Sequence, residues 1–175
     1  DYGLGAMADI EDIVVGIKEQ LRWWNPFLNI AGNKPFIPKN PHPGSFGQRR
    51  KYDVHTGVDL YTTNGAEVHA VESGIIVDIV DFTGSKVIDA ETDRPLSWWN
   101  DTKAILVKGA SGVVVYGEVE PCQGICVGQV IRSGQVIAGV KAVLPPEKHR
   151  PDIPHHSTAM LHMEVYAPDA AQKEY

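Results

Sequence analysis

The sequence predicts a mainly β protein, an antiparallel β-sandwich or split barrel preceded by one amphipathic helix. Three observations lead there. Seventeen glycines and twelve prolines are scattered between short runs rich in valine and isoleucine, the pattern of strands joined by turns. Only one stretch has clear helical periodicity. A chain of 175 residues, 43% hydrophobic and 22% charged, is long enough to bury one core, so a single compact domain is expected.

The helix is read in "ADIEDIVVGIKEQLRWW", residues 8–24, where Ile10, Ile13, Val14, Ile17, Leu21 and Trp24 recur at helical spacing behind Asp9 as candidate N-cap. Asn25-Pro26 ends it, because the residue before a proline is pushed out of the helical region. Two readings of the apolar stripe stand: packing on its own domain, or self-association with another chain. Residues 1–6, "DYGLGA" before Met7, are set aside as a remnant outside the fold. Residues 7–44 are then the helix and a proline-rich connector, 45–168 the β domain, and 169–175 a tail.

Seven strands follow in order: "GVDLY", "EVHAV", "GIIVDIVD", "KAILVKG", "GVVVYGEV", "QVIAGV" and "MLHMEVY". Residues 82–102 and 141–158 are longer than hairpin loops, and loops of that length often line a binding groove. Trp98 and Trp99 in the first are either loop anchors or a substrate wall. His149, His155 and His156 lie on the second, within folding reach of a groove.

Sixteen basic against twenty-two acidic residues give a net charge of −6, the wrong sign for a protein that neutralises nucleic-acid phosphates, so nucleic acid is not an expected partner. No run of about 18 apolar residues occurs, so no membrane span is expected. A soluble protein without a visible export signal follows. Its compartment is left open: cytoplasmic, phage-borne, or exported after loss of a leader. Cys122 and Cys126 in "EPCQGIC" lack Cys-x-x-Cys spacing, which leaves structural or free thiols and a local disulfide as the readings.

The chemistry concentrates in "DVHTGVDLY", which holds His55 and Asp59. Alone, such a pair is an ordinary polar strand edge. About a hundred residues later, strand alternation in "TAMLHMEVY" puts Met160, His162, Glu164 and Tyr166 on one face and Leu161, Met163 and Val165 on the other. The second set is a core face, so His162 points away from the core. Two imidazoles and one carboxylate would hold one zinc ion at net charge +1 and leave a fourth position for water, the arrangement of a hydrolytic site.

In this setting the chain resembles the lysostaphin-type, LytM-like zinc metallopeptidases, which cut peptide cross-links of bacterial peptidoglycan. "HTGVD" matches the family's H-x-G-x-D, and "GAEVHAVESGII" and "VGQVIRSGQVI" match its two glycine-containing strand motifs. "STAMLHMEV" partly matches its closing strand. The likeness covers about residues 45–168 in the right order. It implies the duplicated hybrid-motif peptidase fold, His55, Asp59 and His162 as zinc ligands, and a peptide or peptidoglycan-like substrate.

The family's two catalytic histidines do not carry over. Met160 stands where the closing His-x-His has its first histidine, and Glu118 in "VVVYGEVEP" stands where the other is expected. A carboxylate beside an activated water is an accepted general base. A thioether moves no proton and is a poor partner for an oxyanion. Tyr116, two residues before Glu118, is either a groove hydrogen-bond donor or a structural tyrosine. Glu164 reads as a support for His162. Two functions remain: a zinc hydrolase with Glu118 as base, or an inactive zinc-containing module that binds a peptide, glycan or protein.

Overall fold

A computed structural model of the chain describes residues 23–27, 35–50, 54–89, 93–95, 99–149 and 157–168. The seven expected strands all form: β1 (Val58–Tyr61), β2 (Glu67–His69), β3 (Gly74–Thr83), β6 (Thr102–Gly109), β7 (Val113–Pro121), β9 (Val136–Val140) and β10 (Met160–Tyr166). Three two-residue strands add to them, β4 (Ile88–Asp89), β5 (Arg94–Pro95) and β8 (Val130–Ile131). These are too short for alternation to mark them in sequence. The helix read over 8–24 lies outside the described residues except for Trp23 and Trp24.

Every pairing is antiparallel. The main sheet runs β1-β10-β7-β6-β3-β8, with β2 and β9 joined to it through β7. Its terminal strands β1 and β8 do not pair with each other, so the sheet is open. The fold is thus mainly antiparallel β, as the sequence predicts.

Period-two alternation sorts the side chains of this sheet. Ile105, Val107, Val114, Tyr116 and Leu161 face inward with Ile76, Ile131 and Ile137, all fully buried in the main core. Ala104, Leu106, Val113 and Val115 face the other way and form a second apolar cluster, with Val77, Val80, Phe82 and Tyr166 packed against it. On β10, Leu161 and Met163 belong to the main core. Met160 joins Tyr61, Val143 and Leu144 in a third cluster, against which Phe36 and Trp99 pack.

The alternation breaks once on β7. Lys103 pairs with Val119 and Ile105 with Tyr116, so Gly117 and Glu118 together face Ala104 alone, which is a β-bulge. At the same point β7 exchanges its second neighbour: β10 up to Gly117, β9 from Val119. Glu118 takes up the turn with a φ of 62°, a left-handed conformation that costs a residue with a Cβ about 1–2 kcal/mol.

Residues 23–27 lie against the domain. The Trp24 N–H donates to Val71 O at 2.7 Å, and the His69 N–H donates to Pro26 O at 2.9 Å. Phe27 is buried in the main core. The proline-rich connector therefore starts from a docked segment.

Candidate metal centre

The register of β1 against β10 sets Asp59 directly opposite His162, and such cross-strand pairs bring side chains into contact. His55 reaches the same point from just before β1. Its backbone is pinned on both sides, with the His55 N–H donating to Gln48 O and the Gly47 N–H donating to His55 O. Gly57 explains the residue between the ligands: a Cβ there would lie 2.6 Å from the His162 ring and from Met163 O. The H-x-G-x-D pattern therefore has a steric reason, since the chain passes too close to His162 for any side chain.

His55 Nε2 and His162 Nδ1 are 3.1 Å apart. His162 Nδ1 is 2.9 Å from Asp59 Oδ1, which is 3.2 Å from His55 Nε2. All three residues are buried. The outer ring nitrogens fix the tautomers. His55 Nδ1–H donates to Ser45 O at 3.1 Å, and His162 Nε2–H donates to Glu164 Oε1 at 2.8 Å. With a metal bound, each ring would be neutral and turn a lone pair inward, on the side of the Asp59 carboxylate.

Three acceptors within 3.2 Å of one another repel unless a positive charge lies among them. Tetrahedral donors at zinc distances are about 3.3–3.5 Å apart, only a few tenths of an ångström wider than here. The donor set, its geometry and its outer hydrogen bonds all fit zinc. The second carboxylate oxygen of Asp59 is held by Arg50 Nη2 at 3.1 Å, and Arg50 Nε donates to Pro43 O. Glu164 is itself fixed by the Thr56 and Tyr166 hydroxyls.

These contacts set the charges. Burial alone would raise the Asp59 carboxyl, but the hydrogen bonds of His162 and His55 and their charge hold it at about 2. Burial would lower His162, yet its bonds to Asp59 and Glu164 raise it to about 9. In the metal-free chain a proton on His162 therefore supplies the positive charge that the three acceptors require. Glu164 stays at about 2 against its burial, through His162, Thr56 and Tyr166.

Glu118 is the fourth polar group here. It is 6% exposed, and its Oε2 has no hydrogen-bond partner among the described residues. Burial first, then the charge of Asp59, pushes its carboxyl up to about 8, against the pull of His162 and Arg50. A buried acid with one oxygen unpartnered among the described residues, on a left-handed backbone, is costly twice over.

The other expected residues fall elsewhere. Tyr116 is a core residue rather than part of a groove: it is fully buried and its hydroxyl accepts the Val71 N–H at 2.8 Å. The bulge is the reason, since it separates Tyr116 from Glu118. Met160 is buried in its apolar cluster, and Trp99 packs against that cluster as a loop anchor. His149 lines a cleft of about 350 Å³ with Pro146, Ser157 and Thr158. Trp98, His155 and His156 lie outside the described residues. Cys122 and Cys126 are free thiols.

Sequence reasoning passed over Phe82, whose ring centroid is 5.2 Å from that of His162 and whose edge fills the space that a Cβ on Gly117 would take. It also did not single out Arg50 within "QRRKY". Nothing local separates Arg50 from Arg49, because the reach to Asp59 depends on the path of the 44–50 segment.

No protein-family model matches the chain, and no curated protein matches it. Among solved structures it is similar to Csd3 of Helicobacter pylori in the orthorhombic crystal, at 19% identity over 78% of this chain, with a TM-score of 0.45. The hexagonal crystal of the same protein gives 20% identity over 77% of this chain and a TM-score of 0.43. The chain spans 31% and 29% of those two chains. CbpA from L. salivarius REN is 21% identical over 81% of this chain and 75% of its own, with a TM-score of 0.45.

Proposed function

We propose that this chain is a zinc-dependent hydrolase of peptide amide bonds, with peptidoglycan-like cross-link peptides as its substrate class and Glu118 as the group that moves the proton. The observation that carries the reading is the buried carboxyl of Glu118, with Oε2 lacking a partner among the described residues, next in the chain to the Gly117 that pairs with His162 and within reach of the charges of Asp59 and His162, two of the three converging acceptors. Costly groups kept in place without a structural return mark functional sites. The substrate class rests on the ordered motifs that resemble lysostaphin-type peptidases.

Zinc, when bound by His55, Asp59 and His162, would supply a Lewis acid and activate a water. The rest belongs to the chain. Ser45 and Glu164 hold the two rings, and Arg50 holds Asp59 so that one oxygen stays turned inward. Glu118 takes the proton of the attacking water and delivers it to the leaving amine. In the metal-free chain burial and Asp59 hold this carboxyl at about 8; the positive charge of a bound metal would lower it into the range where it can accept a proton and later return it.

A second reading is favoured by Met160, buried among Tyr61, Val143 and Leu144. No proton donor stands at that position to meet a developing oxyanion. On this reading zinc braces a surface that binds a peptide, glycan or protein without turnover.

One experiment separates them. Zinc-loaded protein is incubated with purified peptidoglycan and with glycine- and alanine-rich peptides, and products are read by mass spectrometry beside Glu118→Gln and His162→Ala. New peptide termini that vanish in both variants, with zinc retained in Glu118→Gln, are expected. Full activity in Glu118→Gln would remove the proposed base, and no product from zinc-loaded protein would favour the binding module.

A further inference from the structure

Away from the metal centre, another histidine is held in the same way as His55. His69 on β2 is 4% exposed, and its Nδ1–H donates to Gly134 O at 2.9 Å. A carbonyl oxygen can only accept, so this bond fixes the tautomer, and in the neutral ring the lone pair sits on Nε2. That nitrogen is buried and has no hydrogen-bond partner among the described residues. An acceptor shut away from water without a donor is destabilising, and packing alone gives no reason to keep one.

One charged atom comes near it. Glu67 stands two residues earlier on β2, so period two puts both side chains on one face, and Glu67 Oε2 lies 3.7 Å from His69 Nε2. That is too long for a hydrogen bond. It is close to the spacing of two donors on one ion, about 3.3–3.5 Å for tetrahedral zinc. The Glu67 side chain is 57% exposed, so a small torsional change closes the difference while Gly134 keeps the His69 ring in place.

We propose that Glu67 and His69 form a second metal site, for a divalent ion of the zinc, copper and nickel class, with water in the remaining positions. An imidazole nitrogen with a carboxylate oxygen suits these ions, whereas magnesium and calcium take oxygen ligands. A ring whose outer N–H is tied to a backbone carbonyl is the usual arrangement of a ligand histidine, and His55 shows it with Ser45 O. The pair lies outside the His55, Asp59 and His162 group, on a strand that joins the main sheet through β9 and β7 rather than through β1 or β10. The inference therefore stands independently of the proposed hydrolysis.

The ion's role here is structural, and what it would hold is the docked segment 23–27. The His69 N–H donates to Pro26 O, and the Trp24 N–H donates to Val71 O. A Cβ on Gly134, whose carbonyl fixes the His69 ring, would lie 3.0 Å from the Trp24 indole nitrogen. An ion on Nε2 thus stiffens the point where β2, the turn at Gly134 and residues 23–27 meet.

The test is zinc titration of the full chain, followed through the ring nitrogens of His69 by long-range proton–nitrogen NMR. Nε2 of His69 should shift as zinc is added, while Nδ1 keeps its proton. The same shift is expected in His162→Ala, which removes a ligand of the first centre, so the failure of either site is read separately. Glu67→Gln changes an exposed side chain and leaves the fold standing; it should lose the shift at the zinc concentration that saturates the parent. A His69 Nε2 resonance that does not move with zinc would overturn the proposal and leave the contact a plain histidine–carboxylate pair. A shift that persists undiminished in Glu67→Gln would equally overturn the site as drawn.

Discussion

From Val113 to Tyr116, β7 alternates cleanly, with Val114 and Tyr116 in the main core and Val113 and Val115 on the outer face. From Gly117 onward two residues face one, the neighbouring strand changes, and an acid is buried with one oxygen lacking a partner among the described residues. The two halves of the strand are therefore built differently. Its first half is built for stability, and each residue there satisfies local propensity, pattern and burial together. Its second half departs from pattern, from backbone comfort and, at Oε2, from hydrogen bonding among the described residues, where Glu118 follows the Gly117 that pairs with His162. The difference teaches that a bulge is how an antiparallel strand delivers a side chain which strict alternation would have sent into the core.

Variants that attack each half sharpen the contrast, beginning with the largest effect. Tyr116→Ala should destabilise the fold by about 3–5 kcal/mol, as large-to-small changes of buried aromatics do. Urea unfolding would measure this. A cost below about 1 kcal/mol would mean that this half is not the stabilising one.

Glu164→Ala should leave the fold standing but weaken zinc binding about 10- to 100-fold, the usual effect of removing a carboxylate that orients a ligand histidine. Competition with a chelating dye reads it directly. Unchanged affinity would show that the ring of His162 is held without Glu164.

Glu118→Gln should alter how metal-free stability depends on pH. The folded-state pKa of Glu118 is raised from its ordinary 4.5 to about 8, so folding favours its protonated form. That contribution is full below 4.5 and is lost as pH rises through 8. Glutamine has nothing to lose. The variant should match the parent near pH 4 and exceed it above pH 8, by on the order of 1 kcal/mol or more, the scale of relieving one buried unsatisfied charge. Parallel stability curves would show that Glu118 is not held as described.

The smallest effect isolates the backbone. Glu118→Gly and Glu118→Ala remove almost the same side chain, yet only glycine is at ease at a φ of 62°. The glycine variant should be the more stable by about 1 kcal/mol. The reverse order would mean that the bulge carries no strain.

Much of this was legible beforehand. The seven longer strands follow from alternation and turn residues, and that period also places His162 outside the core while Leu161 and Met163 enter it; Val165, expected on the same core face, is instead exposed near the end of β10. The resemblance of "HTGVD" to H-x-G-x-D singled out His55 and Asp59, and with His162 they converge as a group that could hold a metal ion. Phe82, Arg50 and the burial of Tyr116 away from Glu118 were not legible. Tyr116 and Glu118 are two apart, and a period of two assigns them one face; only the register against β6 reveals the extra residue between them.

By itself, then, the sequence determined the fold class, the order of the strands and which three residues converge into a group that could hold a metal ion, because hydrophobic period and residue chemistry are local properties that survive translation into any packing. Tertiary structure alone decided where β7 bulges, which oxygen of Asp59 turns inward, and that Glu118 is buried without a partner for Oε2 among the described residues. Those depend on register, on the path of the 44–50 segment and on desolvation, and each is a relation between residues far apart in the chain.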